Sequence, residues 1–286
     1  MISQAQFDQE VEGIIANAIR EDVGDGDHSS LACIPVEALG KAKLLVKDKG
    51  ILAGVAFAKA VFAYVDPLLE IEERIPDGSR VQYGDIAFYV SGPSQSILKA
   101  ERLVLNAMQR MSAIATKTAF FVNLLDGTKT QILDTRKTTP GIRALEKWAV
   151  KIGGGENHRF ALYDMIMLKD NHIDFAGGIT QAIQKTVTYL KETKRDLKII
   201  VEARNLAEID EILESHKDVY RILIDNFNYE DTKEAVRRIG DLCLTESSGG
   251  INEETIREYA LCGVDYISSG ALTHSVYNLD LSLKAV

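Results

Sequence analysis

Phe7, Val11, Ile14, Ile15, Ala18 and Ile19 recur at helical spacing, which predicts an amphipathic helix over residues 4–21. Asp and Gly then alternate from Glu21 to His28; the spacing and closing Glu of a calcium loop are absent, so this reads as a turn-rich connection. Between Gly40 and Gly92 short alternating runs predict strands at 41–47, 69–75 and 86–90, with turns at Asp77-Gly78 and Tyr83-Gly84-Asp85. A helix over about 55–64 interrupts them, giving a small α+β domain. A long helical pattern follows over about 97–125, with Leu103, Ala107, Met111, Ile114 and Thr118 near one face. Met108 and Met111 suit core filling.

After Gly127 the rhythm becomes strand, loop, helix. Apolar strands are expected at 131–134, 165–169, 198–202, 221–225, 242–246 and 266–268, with helices at about 179–194, 206–216, 229–240 and 252–262. Asn252 is the expected N-cap of the last helix and Gly263 its stop. Such alternation means a parallel sheet covered on both sides. The fold class expected is α/β: an incomplete TIM-like α/β barrel, six strands being evident where the full barrel has eight. The expected domains are an N-terminal α+β sandwich over 1–112, a catalytic barrel over 113–275, and a tail over 276–286. In the tail, 279–283 alternates like a strand returning to the small domain.

Composition narrows the classes. The net charge of −9 argues against nucleic acid as a partner. Cys33, Cys243 and Cys262 show no paired spacing and read as buried thiols of a reducing compartment. The first residues lack a basic and apolar leader, and no apolar run has membrane-spanning length, so a cytoplasmic protein with no membrane partner is expected.

Against that acidic background, Arg136 to His172 holds seven Lys/Arg (136, 137, 143, 147, 151, 159, 169) and four acids (146, 156, 164, 170), an excess of three positive charges. Gly153-Gly154-Gly155 lies within it. A small polyanion accounts for such a run, because arginine forks match carboxylates and phosphates. Asp134 with Arg136, Lys169, Glu202, Asp225 and Glu246 all fall at or just past the ends of expected strands, and in a barrel those ends share one mouth. Arg136, Lys137, His158, Arg159 and Lys169 could hold the anion. Glu202 and Asp225 could take magnesium through a substrate diphosphate or hydrogen-bond sugar hydroxyls. The histidines lack zinc spacing with any cysteine, and His158 could equally be an orienting residue. The turns Ser247-Ser248-Gly249-Gly250 and Ser268-Ser269-Gly270-Ala271 are candidate phosphate cradles.

Seven segments in order carry a resemblance: Glu101-Arg-x-x-Leu-Asn106, Ser112-Ala-Ile-Ala-Thr116, Asp134-Thr-Arg-Lys-Thr-Thr-Pro-Gly141, Gly153-Gly-Gly-x-Asn-His-Arg159, Lys169-Asp-Asn-His172, Ser248-Gly-Gly-Ile251 and Gly270-Ala-Leu-Thr-His-Ser275. Together, over about residues 21–274, they resemble the quinolinate phosphoribosyltransferases. The resemblance implies a small N-terminal sandwich joined to an open α/β barrel. It implies reaction of quinolinate with phosphoribosyl pyrophosphate and Mg2+ to give nicotinate mononucleotide, pyrophosphate and CO2 in NAD biosynthesis. By position, Arg136, His158, Arg159 and Lys169 would bind quinolinate. Lys137, Glu202, Asp225, Ser248, Gly249 and Gly270 would bind the phosphoribosyl substrate. Lys169, Glu202 and Asp225 would be catalytic, and Glu202 and Asp225 would meet the metal, directly or through substrate. Arg102 would be donated to quinolinate across a homodimer interface, and larger even oligomers fall within the family's range. Ala113, Ala161 and Trp148 depart from the family's usual Gly, Gly and Tyr, which bears on packing and loop closure.

Three rivals are distinguishable. A paralogue associated with molybdenum transport would lack the full dicarboxylate set. A non-catalytic anion sensor would do better without Glu202 and Asp225. A Schiff-base aldolase would need Lys169 in an apolar pocket, at odds with its neighbours Asp170 and His172.

Overall fold

The computed structural model describes residues 2–286; Met1, the first residue of the expected 1–112 domain, lies outside the described residues. In chain order the elements are α1 (Gln4–Val23), α2 (His28–Cys33), β1 (Leu39–Val46), β2 (Gly50–Ile51), α3 (Val55–Val65), β3 (Glu70–Glu73), β4 (Arg80–Val81), β5 (Ile86–Pro93) and α4 (Ser94–Leu124). Then come β6 (Gln131–Leu133), α5 (Arg143–Ile152), β7 (Ile166–Leu168), α6 (Asp170–Ala176), α7 (Ile179–Thr193), β8 (Ile199–Ala203), α8 (Leu206–Leu213) and β9 (Arg221–Asp225). The chain ends with α9 (Tyr229–Ile239), β10 (Leu244–Ser248), α10 (Ile256–Leu261), β11 (Tyr266–Ser268), α11 (Ala271–His274) and β12 (Leu281–Ala285). No helix of the described residues is long and apolar enough to cross a membrane.

The chain divides into two compact units. One comprises residues 2–119, 137–154 and 272–286. Its main sheet runs β12-β1-β5-β3, all antiparallel, with β2 and β4 as a separate pair. Ser3 opens α1 with a capping box: its hydroxyl accepts from the Gln6 amide while the Gln6 side chain accepts from Ser3 N–H. Phe57, Phe62, Phe88, Leu44, Met108 and Met111 are fully buried, and Phe62 meets Phe88 edge to face at 6.1 Å. Gly54 takes φ +100°, a backbone that strains any other residue, and a Cβ there would stand 3.1 Å from both Met108 Cγ and Met111 Sδ.

The other unit, 120–136 and 155–271, is built on one parallel sheet in the order β6-β11-β10-β9-β8-β7. Its first strand lies beside its last, as in a barrel, and the sheet stays open between β6 and β7. The fold is therefore an incomplete α/β barrel of six strands. The stretch joining β6 to β7 is the cationic segment read from the sequence, and part of it, residues 137–154, leaves to join the first unit.

Several details differ from expectation. Helix α4 itself runs unbroken to Leu124, as the pattern over about 97–125 predicts, and the expected boundary at 112/113 lies within it. Helices α5 and α6 fall in stretches where no helix was expected; both are short, and charge hid the stripe of Ala144, Leu145, Ala149 and Val150 in α5. The last expected helix begins at Ile256 instead of 252, because Asn252 Oδ1 accepts the Glu254 and Thr255 amides in a preceding turn. Cys243 and Cys262 are buried, but Cys33 is exposed, since α2 is a short surface helix.

Candidate active site

Register decides which side chains share a face of the parallel sheet. Glu202 on β8 pairs with Leu223 on β9, Leu223 with Glu246 on β10, and Asp225 with Ser248. Neighbours in register and residues two apart point the same way, so Glu202, Asp225, Glu246 and Ser248 occupy one face. Lys169 directly follows β7, and its Nζ stands 3.7 Å from Glu202 Oε2. The other Glu202 oxygen accepts the Asp170 amide at 3.2 Å, where α6 begins. Burial raises Glu202 above the ordinary glutamate value; the Asp225 and Asp170 charges add to the rise, and the Asp170 amide and Lys169 oppose it.

Asp225 closes β9. Its Oδ1 accepts the Ser248 hydroxyl and its Oδ2 the Asn226 side-chain amide, each at 2.6 Å. Asn226 takes a left-handed backbone, φ +56°, and donates its amide to the Ser248 carbonyl at 2.9 Å. Gly249 lies against it: φ is +93° and an added Cβ would collide with the Asn226 side chain and lie 2.9 Å from its backbone nitrogen. The Ser248-Gly249-Gly250 turn does not open straight into a helix as expected, since α10 starts only at Ile256. Gly270 directly precedes the single-turn α11; beside it, the Ser269 amide donates to the Leu133 carbonyl at 3.0 Å, joining that turn to the end of β6.

The end of β6 builds the cationic part. Asp134, fully buried, accepts the His158 amide at 2.8 Å and the Asn157 side chain at 2.6 Å. A parallel bridge between Leu133 and Glu156 stitches the same segment to the strand. His158 and Arg159 are thereby fixed, and both are buried. Arg159 Nη1 donates to the Met165 carbonyl at 3.2 Å. Burial lowers the Arg159 pKa, the exposed Arg136 cation lowers it further, and Asp164 partly offsets both. Among the described residues neither Arg136 nor Arg159 forms an ion pair with a carboxylate. Two guanidinium groups within electrostatic reach of each other are a candidate anion site.

Glu246 does not serve as a strand-end group of this mouth. It lies inside β10 with 1% exposure, its Oε2 at 2.6 Å from Arg221 Nη1 and 3.4 Å from His158 Nε2. Burial alone would raise its pKa; His158, Arg221 and Ser268 overcome this and hold it at about 2. Sequence reasoning placed it one layer too high because the strand runs on to Ser248.

Lys137 and Arg102 belong to the other unit, where both are exposed. That unit also contains a polar node missed in the sequence. Arg110 Nε and Nη2 donate to Glu146 Oε1 at 3.0 and 2.9 Å, and Glu146 Oε2 accepts the Thr139 amide at 3.1 Å. Arg110 also donates to the Thr273 carbonyl, and the Thr273 hydroxyl to the Lys137 carbonyl at 2.7 Å. The node fastens the backbone that carries Lys137. Glu146 three residues after Arg143 was the available signal, but its partner lies 36 residues upstream.

A pair of carboxylates, Glu202 and Asp225, is within electrostatic reach of each other, yet no group of three or more His, Cys, Asp or Glu among the described residues could hold a metal alone. A divalent cation here would need oxygens from a substrate.

Comparison with known proteins supplies the family. Residues 27–112 match the quinolinate phosphoribosyl transferase N-terminal domain and residues 114–284 its C-terminal domain. The chain is 44% identical over 289 aligned positions to quinolinate phosphoribosyltransferase (decarboxylating) 1b of Nicotiana tabacum, covering 96% of this chain and 82% of that one. It is 39% identical to the probable nicotinate-nucleotide pyrophosphorylase (carboxylating) of Bacillus subtilis, covering 92% and 89%. The crystal structure of NadC from Streptococcus pyogenes superposes with a TM-score of 0.89 at 36% identity, covering 100% and 99%.

Proposed function

Because the chain belongs to the quinolinate phosphoribosyltransferase family, we propose that it transfers phosphoribosyl from phosphoribosyl pyrophosphate to quinolinate with loss of CO2, forming nicotinate mononucleotide. The observation that carries this is the division of one site into two parts. Arg159 and Arg136 form a cationic end without carboxylate ion pairs, and Glu202 and Asp225 form an anionic end on the same sheet face. Adjacent carboxylates on a pyridine ring suit the first; a ribose becoming cationic as pyrophosphate leaves suits the second.

The residues divide the work as follows. Arg136 and Arg159 hold the dicarboxylate, with His158 set beside them. Lys169, half-exposed and 3.7 Å from Glu202, stands beside the carboxylate that departs. Glu202 and Asp225 favour positive charge developing on the ribose, acting as fixed charges with no covalent nucleophile needed. The Ser248-Gly249 turn and Gly270 take the phosphate groups. Glu202 and Asp225 are the residues that would hold Mg2+ together with substrate oxygens, and the ion would supply positive charge toward the pyrophosphate. After ribosylation the cationic ring nitrogen accepts the electrons that CO2 leaves behind.

A homodimer is the working unit, with Arg102 donated to the partner's quinolinate. Arg102 is exposed on α4, without an ion pair among the described residues, one turn after the exposed Leu98. Exposed Leu39, Val36 and Leu68 lie on segments tied to the start of α4 by the Ser94 amide to Ala38 carbonyl and Ser96 hydroxyl to Asp66 bonds. Such an apolar margin suits a second copy of the chain.

The test mixes the protein, Mg2+, phosphoribosyl pyrophosphate and quinolinate, and follows the mononucleotide and CO2, with nicotinate in parallel. Product from quinolinate alone, abolished by a chelator, is expected. Turnover with nicotinate only would overturn the roles of Arg136 and Arg159. Silence with both would overturn the proposed reaction.

A further inference from the structure

Lys169 is placed by a helix that is itself lightly held. Its amide donates to His172 Nδ1 at 3.1 Å and its carbonyl accepts the Ile173 amide at 3.0 Å. The Lys169 backbone is thus fastened to α6 on both sides and moves with it. α6 has seven residues, of which Ile173 alone is buried, and Phe175 near its end is exposed. Lys185 on α7 holds the far end through the Ala176 carbonyl at 2.9 Å. Two ties join α6 to β8. The Asp170 amide donates to Glu202 at 3.2 Å. Just past β8, Arg204 Nη1 donates to Asp174 Oδ1 and Oδ2 at 3.2 and 3.3 Å. Arg204 is itself fixed by α8: its amide reaches Glu208 Oε2 at 2.7 Å and its Nε reaches Glu208 Oε1 at 2.9 Å.

The side chains of Arg204 and Asp174 are 42% and 57% exposed, and an ion pair so exposed contributes little to stability. Position accounts for it better. We propose that Arg204 is a positioning residue: held by Glu208, it latches α6 to the end of β8 through Asp174 and so sets Lys169 against Glu202. The two ties to β8 are not equivalent. On the proposed function, on which the role of Lys169 rests, Glu202 turns its carboxylate to the ribose and the metal, and whatever engages it competes with the Asp170 amide. The Arg204–Asp174 tie uses no group of the reaction, so it persists while substrate is bound. A misplacement of about 1 Å can cost about 100-fold in rate. Loss of the latch leaves Ile173 and the Lys185 bond in place, so the expected cost is about tenfold.

The latch is tested in the unliganded protein and its part in turnover separately. Hydrogen exchange read by mass spectrometry should show the amides of 169–176 exchanging about fivefold or more faster in R204M than in wild type, with peptides from β9 and β10 unchanged. Unchanged exchange over 169–176 would overturn the latch whatever the enzyme does. With quinolinate and phosphoribosyl pyrophosphate, kcat should fall about tenfold in R204M and in D174N alike, and no further in R204M/D174N, because both cut the same tie. The phosphoribosyl pyrophosphate KM should stay within about twofold of wild type. R204K, which keeps a cation facing Asp174, should recover part of kcat. Additive losses in the double variant, or faster exchange with normal kcat, would overturn the positioning role and reduce the pair to a structural one. Were wild type itself inactive, the proposed function would fail, while the exchange measurement would still decide the latch. Should R204M fail to fold, D174N leaves the Arg204–Glu208 bonds intact and carries both measurements.

Discussion

Replacing Arg110 with Met strands a buried charge, and the cost follows from the contacts. Glu146 is fully buried, and its Oε1 accepts both donors from Arg110 while Oε2 accepts only the Thr139 amide. Met fills the space of the arginine stem but supplies neither charge nor donor. Removing one partner of a buried pair costs about 3–5 kcal/mol. Arg110 is 23% exposed, so water approaches from its side and the low end applies. R110M should therefore lose about 3 kcal/mol. The chain's one tryptophan, Trp148, lies on α5 beside Glu146 and meets Phe7 edge to face at 5.3 Å. Urea unfolding followed by tryptophan fluorescence thus reports the unit that holds the pair. The double variant R110M/E146L should be more stable than R110M, since the stranded charge is gone. A loss below about 1 kcal/mol for R110M, in the range of an exposed pair, would refute the reasoning.

Two further outcomes follow from the mouth of the barrel. Burial, with the Asp225 and Asp170 charges, raises Glu202 against the Asp170 amide and Lys169, so its favourable contribution is full below the unfolded value of 4.5 and is lost as pH rises through the folded one. E202Q should then gain stability over wild type near neutral pH and lose that advantage in acid, while turnover collapses; an equal stability difference at both pH values in urea titrations would refute it. G249A forces a side chain onto φ +93° and against Asn226, whereas G250A meets φ +62° with nothing within 4 Å. Left-handed strain alone is about 1–2 kcal/mol, so G250A bears that only, and G249A should raise the phosphoribosyl pyrophosphate KM far more than G250A; equal effects would sink the close-approach argument.

The parallel strands were legible because each is a short apolar run between amphipathic helices, and all six expected stretches overlap β6 to β11. β2 and β4, of two residues each, carry too few positions for any period to register. α5 was hidden for a different reason. Its buried face includes Glu146 and Lys147, two charges that a hydrophobic pattern counts as solvent-facing. The opening between β6 and β7 was likewise invisible as such, although the long insertion that occupies it was plain.

Four arginines illustrate what pattern alone leaves undecided about the site. Arg110 and Arg221 each face a buried glutamate, Glu146 and Glu246, and those pairs hold other groups in place. Arg136 and Arg159 have no carboxylate ion pair among the described residues, and the proposed function directs their charge at a ligand. Nothing local separates the two classes, because each counterion comes from another element, 36 residues away for Arg110 and 25 for Arg221. Glu246 was expected at the mouth for the same reason: its identity and strand were visible, its partner was not. In a low-dielectric interior a paired charge is support and an unpaired one is costly. On the proposed function, the repulsion between exposed Arg136 and buried Arg159 would be relieved when an anion with adjacent carboxylates binds, and a monocarboxylate should then bind more weakly.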